Sequence, residues 1–401
     1  MGETVAVRPG EEIDADRLKA FLGKTLSDAS IEIEQFPGGS SNLTYLVRMT
    51  SGSGSLGTHA DEYVLRRPPF GNTVKSAHDM RREFDVLSKL SRVYAPAPKP
   101  LLFCDDELVI GSKFYLMERR HGLIIRGPLP RGQRVSSPHV SKGWRRKQAS
   151  QGSQGSLAQE VSQNTRDADA MTAADLADSQ IARKAVCRSF IRNLAELHRL
   201  DYAAAGLENL GRAEGYNRRQ VEGWTKRYVA AKTDDWVAFE KTIEWLAGHV
   251  PPESGAALIH NDYKFDNVML DPNDLTRITA VLDWEMVTVG DPLMDLGTTL
   301  GYWMSPEAPD EMLDMPFNPR VLMENITRRE LVEMYAETLG RTIPDMLFYY
   351  VFGTFKIAVI AQQIYARYAR GATRDPRFAG FNEFVGALGR IAADAIDRGR
   401  I

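Results

Sequence analysis

Short β-leaning runs occupy the front of the chain, and apolar stripes at helical spacing occupy the rear. Residues 31–36 and 43–49 predict two strands joined by the polar turn Pro37-Gly38-Gly39-Ser40-Ser41-Asn42. Tyr63-Val64-Leu65-Arg66-Arg67 predicts a third strand, and 99–103 and 113–117 predict two more across the acidic turn Asp105-Asp106-Glu107. One amphipathic helix is expected at 76–90. Farther on, Val186, Phe190, Leu194 and Leu197 share one face of a helix expected over 182–200. His198 near its end is expected as a structural residue, since a cation is favourable at a helix C-terminus. More helices are expected at 218–231, 236–247, 328–339, 346–370 and 381–398, and the apolar run 278–282 predicts a strand ending on Asp283. The aromatic positions Tyr349, Tyr350, Phe352, Phe355, Tyr365 and Tyr368 are candidates to line an acceptor pocket, with core packing expected for most of them.

Two polar stretches interrupt this pattern. Residues 51–60 include Gly52, Gly54 and Gly57 and predict a flexible hairpin connection. Residues 131–170 are rich in Ser, Gln, Gly, Arg and Lys, with few periodic apolar positions. Such a stretch buries too little apolar surface to offset its ordering entropy, so a disordered insertion is expected. A regulatory loop with a basic patch and a translated, unremoved intron both account for it. A transcript read across the segment separates the two.

Composition narrows the class. With 401 residues the chain has room for a substantial core in two lobes. A net charge of -3 argues against a nucleic-acid partner. Cys104 and Cys187 form neither a zinc pattern nor a disulfide framework. No apolar run approaches the roughly 20 residues needed to cross a bilayer, and residues 1–10 lack a charged segment followed by an apolar one. A cytoplasmic protein without membrane or nucleic-acid partners is expected. Its oligomeric state stays open.

The candidate chemistry lies in Ile259-His260-Asn261-Asp262-Tyr263-Lys264-Phe265-Asp266-Asn267, with Asp283 sixteen residues beyond Asn267 in Val281-Leu282-Asp283-Trp284-Glu285. This order supplies an acid able to take a hydroxyl proton, an amide oxygen and a second carboxylate, at the spacing used for phosphoryl transfer from Mg-ATP. Magnesium favours hard oxygen ligands and keeps several waters, so Asn267, Asp283 and nucleotide phosphates form a plausible ligand set. Asp262 is the expected catalytic residue.

Together with Gly290-Asp291-Pro292-Leu293-Met294-Asp295-Leu296-Gly297, these motifs resemble the aminoglycoside phosphotransferase/choline kinase-like family, a branch of the protein-kinase fold. They are most similar to the phosphotransferase domains beside acyl-CoA dehydrogenases in acyl-CoA dehydrogenase family members ten and eleven. The resemblance covers nearly the whole chain outside 131–170. It implies an α/β (α+β) two-lobe fold: a small mixed-sheet nucleotide-binding lobe at 1–118 and a larger helical catalytic and acceptor lobe at 119–401. It also implies ATP and Mg2+ as cofactors and a small-molecule hydroxyl as acceptor.

Within that frame the turn at 37–42 becomes a nucleotide lid, with Ser40, Ser41 and Asn42 as contacts. Arg66 stands where the wider pattern has a phosphate-binding lysine, and Arg67 is the alternative if the alignment slips by one. An arginine fork binds phosphate oxygens but places its charge differently from an ammonium. Glu83 is the implied partner of that cation. Glu118 and Arg119 fall where the chain crosses between lobes and backbone groups meet adenine. His260, Asp291 and Asp295 are expected to brace the loop and cap a helix rather than act in catalysis. The first acceptor expectation is a hydroxyacyl-CoA or related hydroxy acid, with aminoglycosides, choline-like amines and sugars open. The rival is a non-catalytic nucleotide-binding or interaction protein that kept the fold.

Overall fold

The computed structural model describes residues 4–23, 29–37, 42–51, 60–69, 79–126, 176, 179–304, 308–309, 312, 319–323, 325–373 and 378–401. The insertion expected at 131–170 lies outside them, as do Ser40, Ser41 and the connection at 52–59.

The front of the chain forms a five-stranded antiparallel sheet in the order β1 (Ala29–Gln35), β2 (Leu43–Ser51), β3 (Ala60–Arg67), β5 (Phe114–Glu118), β4 (Pro100–Cys104). Strand alternation divides its side chains between two cores. Tyr45, Val47, Leu65, Phe114 and Leu116 pack with Leu18 and Leu22 of α1 (Ala15–Gly23), a helix the sequence reading did not anticipate. On the opposite face, Val64, Tyr115 and Met117 share a core with Val86, Leu87 and Leu90 of α2 (Met80–Leu90). Asp79 caps α2 by accepting the Arg82 amide proton at 3.0 Å. The buried positions Met80, Glu83, Val86, Leu87 and Leu90 form one helical stripe, which places Glu83 against the sheet.

The second lobe is helical: α3 (Gln180–His198), α4 (Tyr216–Ala231), α5 (Val237–Gly248), α6 (Pro292–Tyr302), α7 (Arg328–Leu339), α8 (Leu347–Ala369) and α9 (Phe381–Arg398). Two small antiparallel pairs hold its functional loops. β6 (Ala257–Ile259) pairs with β9 (Thr288–Gly290), and β7 (Val268–Asp271) pairs with β8 (Asp274–Val281). The result is a two-lobed α+β fold.

α8 spans 23 residues and is long and apolar enough to cross a bilayer by length and composition, although Lys356 and Gln362 interrupt its apolar run. Its most apolar window is 78% buried inside the protein, so the helix forms the lobe's core. It crosses α6 at backbone contact: a methyl group on Gly297 would collide with the Tyr349 backbone, and one on Gly353 with the Gly297 backbone. Glycine is therefore required at both positions.

Candidate active site

β6 leads into His260, Asn261 and Asp262, and Asp262 lines a cleft between the lobes. The His260 and Asn261 amides donate to Asp295 Oδ2 and Oδ1, both at 2.7 Å. Asp295 also takes His198 Nε2 at 3.1 Å, so His198 is a buried partner of this bed rather than a free helix-end cation. Burial alone would raise the Asp295 pKa, but the His198 hydrogen bond and charge hold it below the usual range. His260 Nε2 donates to the Leu282 carbonyl at 2.9 Å, while Nδ1 accepts the Asp262 amide proton at 3.2 Å. Both ring nitrogens are thus committed in the neutral form, consistent with burial lowering the ring's pKa. Asp291 caps α6 through the Leu293 amide at 2.9 Å and also accepts from Asn217 and Ser254. Thr299 of α6 donates to the Tyr263 carbonyl at 2.9 Å. These contacts fix the loop from below.

Asp262 points into the cleft. Its Oδ1 accepts from the Tyr302 hydroxyl at 2.6 Å, and its Oδ2 accepts from Lys264 Nζ and, at 2.9 Å, from Asn267 Nδ2. Burial works against the Lys264 charge, yet Asp262 holds its pKa above the ordinary range. Asn267 Nδ2 also donates to the Asp262 carbonyl at 2.9 Å, which leaves the amide oxygen as the atom available to a ligand.

Asp283 follows β8 in the left-handed region, with φ 67°, and Asn261 holds φ 69°. Asn and Asp tolerate that region better than other non-glycine residues, and such strain gathers at functional loops. Asp283 Oδ1 accepts from Arg66 NH2 at 2.8 Å, and Arg66 NH1 lies 3.1 Å from Glu83 Oε1. Burial raises the Asp283 pKa, but the Arg66 charge and hydrogen bond outweigh it and the net shift is downward. Glu83 moves the other way, because burial exceeds the pull of Arg66. Glu285 lies 3.8 Å from Arg66 and accepts from Asn42 Nδ2 at 2.7 Å.

Arg66 therefore faces the cleft. Arg67 points to the other side of the sheet, where it donates to the Ile110 carbonyl at 2.9 Å. Glu118 accepts from the Lys99 amide at 2.7 Å and pairs with Arg120, while Arg119 pairs with Glu62. Both hinge side chains are thus already paired, although both line the cleft. The cavity measures about 460 Å³ and brings together Asn42, Arg66, Glu83, Glu118, Arg119, Asp262, Asn267 and Asp283. Ser40 and Ser41 lie outside the described residues. Lys264, Tyr302 and Glu285 also line it and were missed as site residues. Lys264 and Glu285 stand inside the motifs themselves, so that signal was available; Tyr302 lies forty positions beyond Asp262 and only folding reveals it.

An antiparallel-sheet lobe above a helical lobe, with an aspartate, an asparagine and a second aspartate meeting in the cleft, defines a kinase-like class of phosphotransferase. The chain belongs to the Phosphotransferase enzyme family, which it matches over residues 32–139 and 165–320. It is 31% identical over 378 residues to acyl-CoA dehydrogenase family member 11 of Gallus gallus, a match that covers 92% of this chain and 41% of that protein. The chain thus spans less than half the length of that relative. A crystal structure of a proposed aminoglycoside phosphotransferase from Ralstonia eutropha superimposes with a TM-score of 0.69 at 26% identity, covering 96% of this chain and 99% of that one. Choline kinase from Cryptosporidium parvum superimposes with a TM-score of 0.56 at 14% identity, over 96% and 97% of the two chains, and shows the shared fold alone.

Proposed function

We propose that the protein transfers the γ-phosphoryl group of Mg-ATP to a hydroxyl of a small molecule. The observation that carries this reading is the convergence of Asp262, Asn267, Asp283 and Arg66 on one cleft. Asp262 Oδ2 already has two donors and Oδ1 has one. A carboxylate offers about four lone-pair sites, so the remaining site on Oδ1 takes the acceptor's proton. The acceptor oxygen bonds to the γ-phosphorus as the bond to the β-γ bridging oxygen breaks, and ADP leaves. Lys264 and Tyr302 hold Asp262 in place for that transfer.

The donor set suits magnesium. No group of three or more His, Cys, Asp or Glu side chains that could hold a metal is found among the described residues. The Asp283 carboxylate and the Asn267 amide oxygen would bind it alongside phosphate oxygens, and the ion would neutralise phosphate charge. Arg66, steadied by Glu83, meets the phosphates, and the chain at Glu118 and Arg119 meets adenine through its backbone.

Similarity to acyl-CoA dehydrogenase family member 11 supports a hydroxyacyl-CoA or hydroxy acid as the first acceptor class. The pairing of Arg66 with Asp283 favours one rival, a nucleotide binder without turnover, because the metal carboxylate already holds a cation. A screen of hydroxylated metabolites, including hydroxyacyl-CoAs, for ATP-to-ADP conversion tests the proposal. Thermal unfolding with Mg-ATP accompanies it: a ligand at a hundredfold excess over its Kd adds about 2.7 kcal/mol of stability. A thermal shift without turnover on any acceptor supports the rival, and no shift overturns both.

A further inference from the structure

Beneath the catalytic loop lies a cation that the mechanism above does not use. Lys356 sits in α8 three residues past Gly353 and is 1% exposed. Its Nζ donates to the Asn261 carbonyl at 2.6 Å and to Asn261 Oδ1 at 3.2 Å, with the Trp224 ring 5.7 Å away on α4. Burial pushes the ammonium down to about 8, against the opposing pull of Asp295 and Asp262. An apolar side chain of the same length would pack there without that desolvation cost, so packing alone does not account for a lysine.

The carbonyl it meets belongs to the peptide that joins Asn261, at φ 69°, to Asp262. Asp295 of α6 accepts from the two preceding amides, those of His260 and Asn261. The glycine contact between α6 and α8 sets the spacing of these grips, since Asp295 and Lys356 each lie within one turn of it. We infer that Lys356 is a positioning residue whose side chain clamps the Asn261 carbonyl and so holds the left-handed turn that aims Asp262 into the cleft. This rests on the phosphotransferase reading.

Lys356→Met keeps the stem and removes the donor, and Lys356→Arg keeps a donor. The full chain is followed by calorimetry with Mg-ATP, by ATP-to-ADP turnover with water as acceptor, and by amide hydrogen exchange across 259–263. Lys356→Met is expected to leave Mg-ATP affinity unchanged, to slow turnover on the order of a hundredfold as a displaced reacting group does, and to speed exchange in the loop while α6 and α8 stay protected. Lys356→Arg is expected to restore part of the turnover. Unchanged turnover or unchanged loop exchange in Lys356→Met overturns the clamp, as does loss of protection throughout α8 together with loss of affinity. If Lys356→Met does not fold, Lys356→Gln, a shorter neutral donor, is read by the same criteria. If the native chain converts no ATP with water or with any acceptor of the screen, the phosphotransferase reading fails, and loop exchange alone decides whether the clamp stands.

Discussion

The two walls of the cleft are held by different forces. The upper wall is a relay of ion pairs from separate elements: Arg66 on β3, Glu83 on α2 and Asp283 after β8. The lower wall is a bed of hydrogen bonds in which Asp295, both nitrogens of His260 and Lys356 are committed to the loop backbone. Ion pairs can exchange a partner for a phosphate or a metal; a saturated buried network cannot move without leaving polar groups unpaired. In the proposed reaction that division has a purpose. Positioning and charge neutralisation carry phosphoryl transfer, so the acid needs a rigid seat and the cation needs freedom to re-pair.

The comparison is broken most easily from below. Asp295→Ala leaves two loop amides and the buried His198 without their acceptor, and is expected to cost about 3–5 kcal/mol in urea unfolding, the loss typical of removing one buried charged partner. A cost below about 1 kcal/mol, the scale of an exposed pair, would mean the lower wall is not a committed network. From above, Arg66→Met is expected to weaken Mg-ATP by about 1.5–3 kcal/mol, the worth of a charged hydrogen bond, or roughly tenfold to a hundredfold in Kd. Its stability should fall by less than that of Asp295→Ala; the reverse order would erase the distinction between the walls. Gly297→Ala sharpens the geometry. Forcing a methyl into the α6–α8 crossing is expected to cost about 1–3 kcal/mol and to lower turnover with it.

A pH series gives the smallest effect. His260 is neutral in the folded chain and its pKa lies below the ordinary 6.5. Below pH 6.5 the unfolded chain binds a proton that the folded ring resists, so stability is full above that pH and falls as acid is added. Between pH 7.5 and 5.5 the native chain is expected to lose more stability than His260→Gln, the difference being bounded by the roughly 1.4 kcal/mol per pH unit that a single proton is worth. Parallel losses in the two proteins would remove His260 from the bed as a neutral residue.

Much of this architecture was legible in the residues. Helix 328–339 and helix 381–398 end where the sequence places them, because Thr327 with Glu330 forms a capping box and Gly340 and Gly399 supply left-handed C-caps. The strand that carries Arg66 and the one that leads to Asp283 were visible as β-leaning runs between turns. The site's motif residues share short loops, so their meeting follows from local geometry. Arg66 against Arg67 was not decidable, since one residue of strand register exchanges the two faces. Tyr302 and Lys356 were invisible for another reason: they reach Asp262 and Asn261 from helices whose placement depends on the Gly297–Gly353 contact, which no local pattern encodes. The length of α8 was legible, since the helix expected at 346–370 forms over Leu347–Ala369.

The most direct test of the central claim titrates Mg-ATP into Asp262→Ala and Asp283→Ala by calorimetry and follows turnover in the same preparations. Asp262→Ala is expected to bind Mg-ATP as the native chain does and to lose about 10²–10⁴ in turnover, the worth of a placed general base. Asp283→Ala is expected to lose the metal-dependent part of binding itself. Equal losses of Mg-ATP affinity in the two variants would contradict the account.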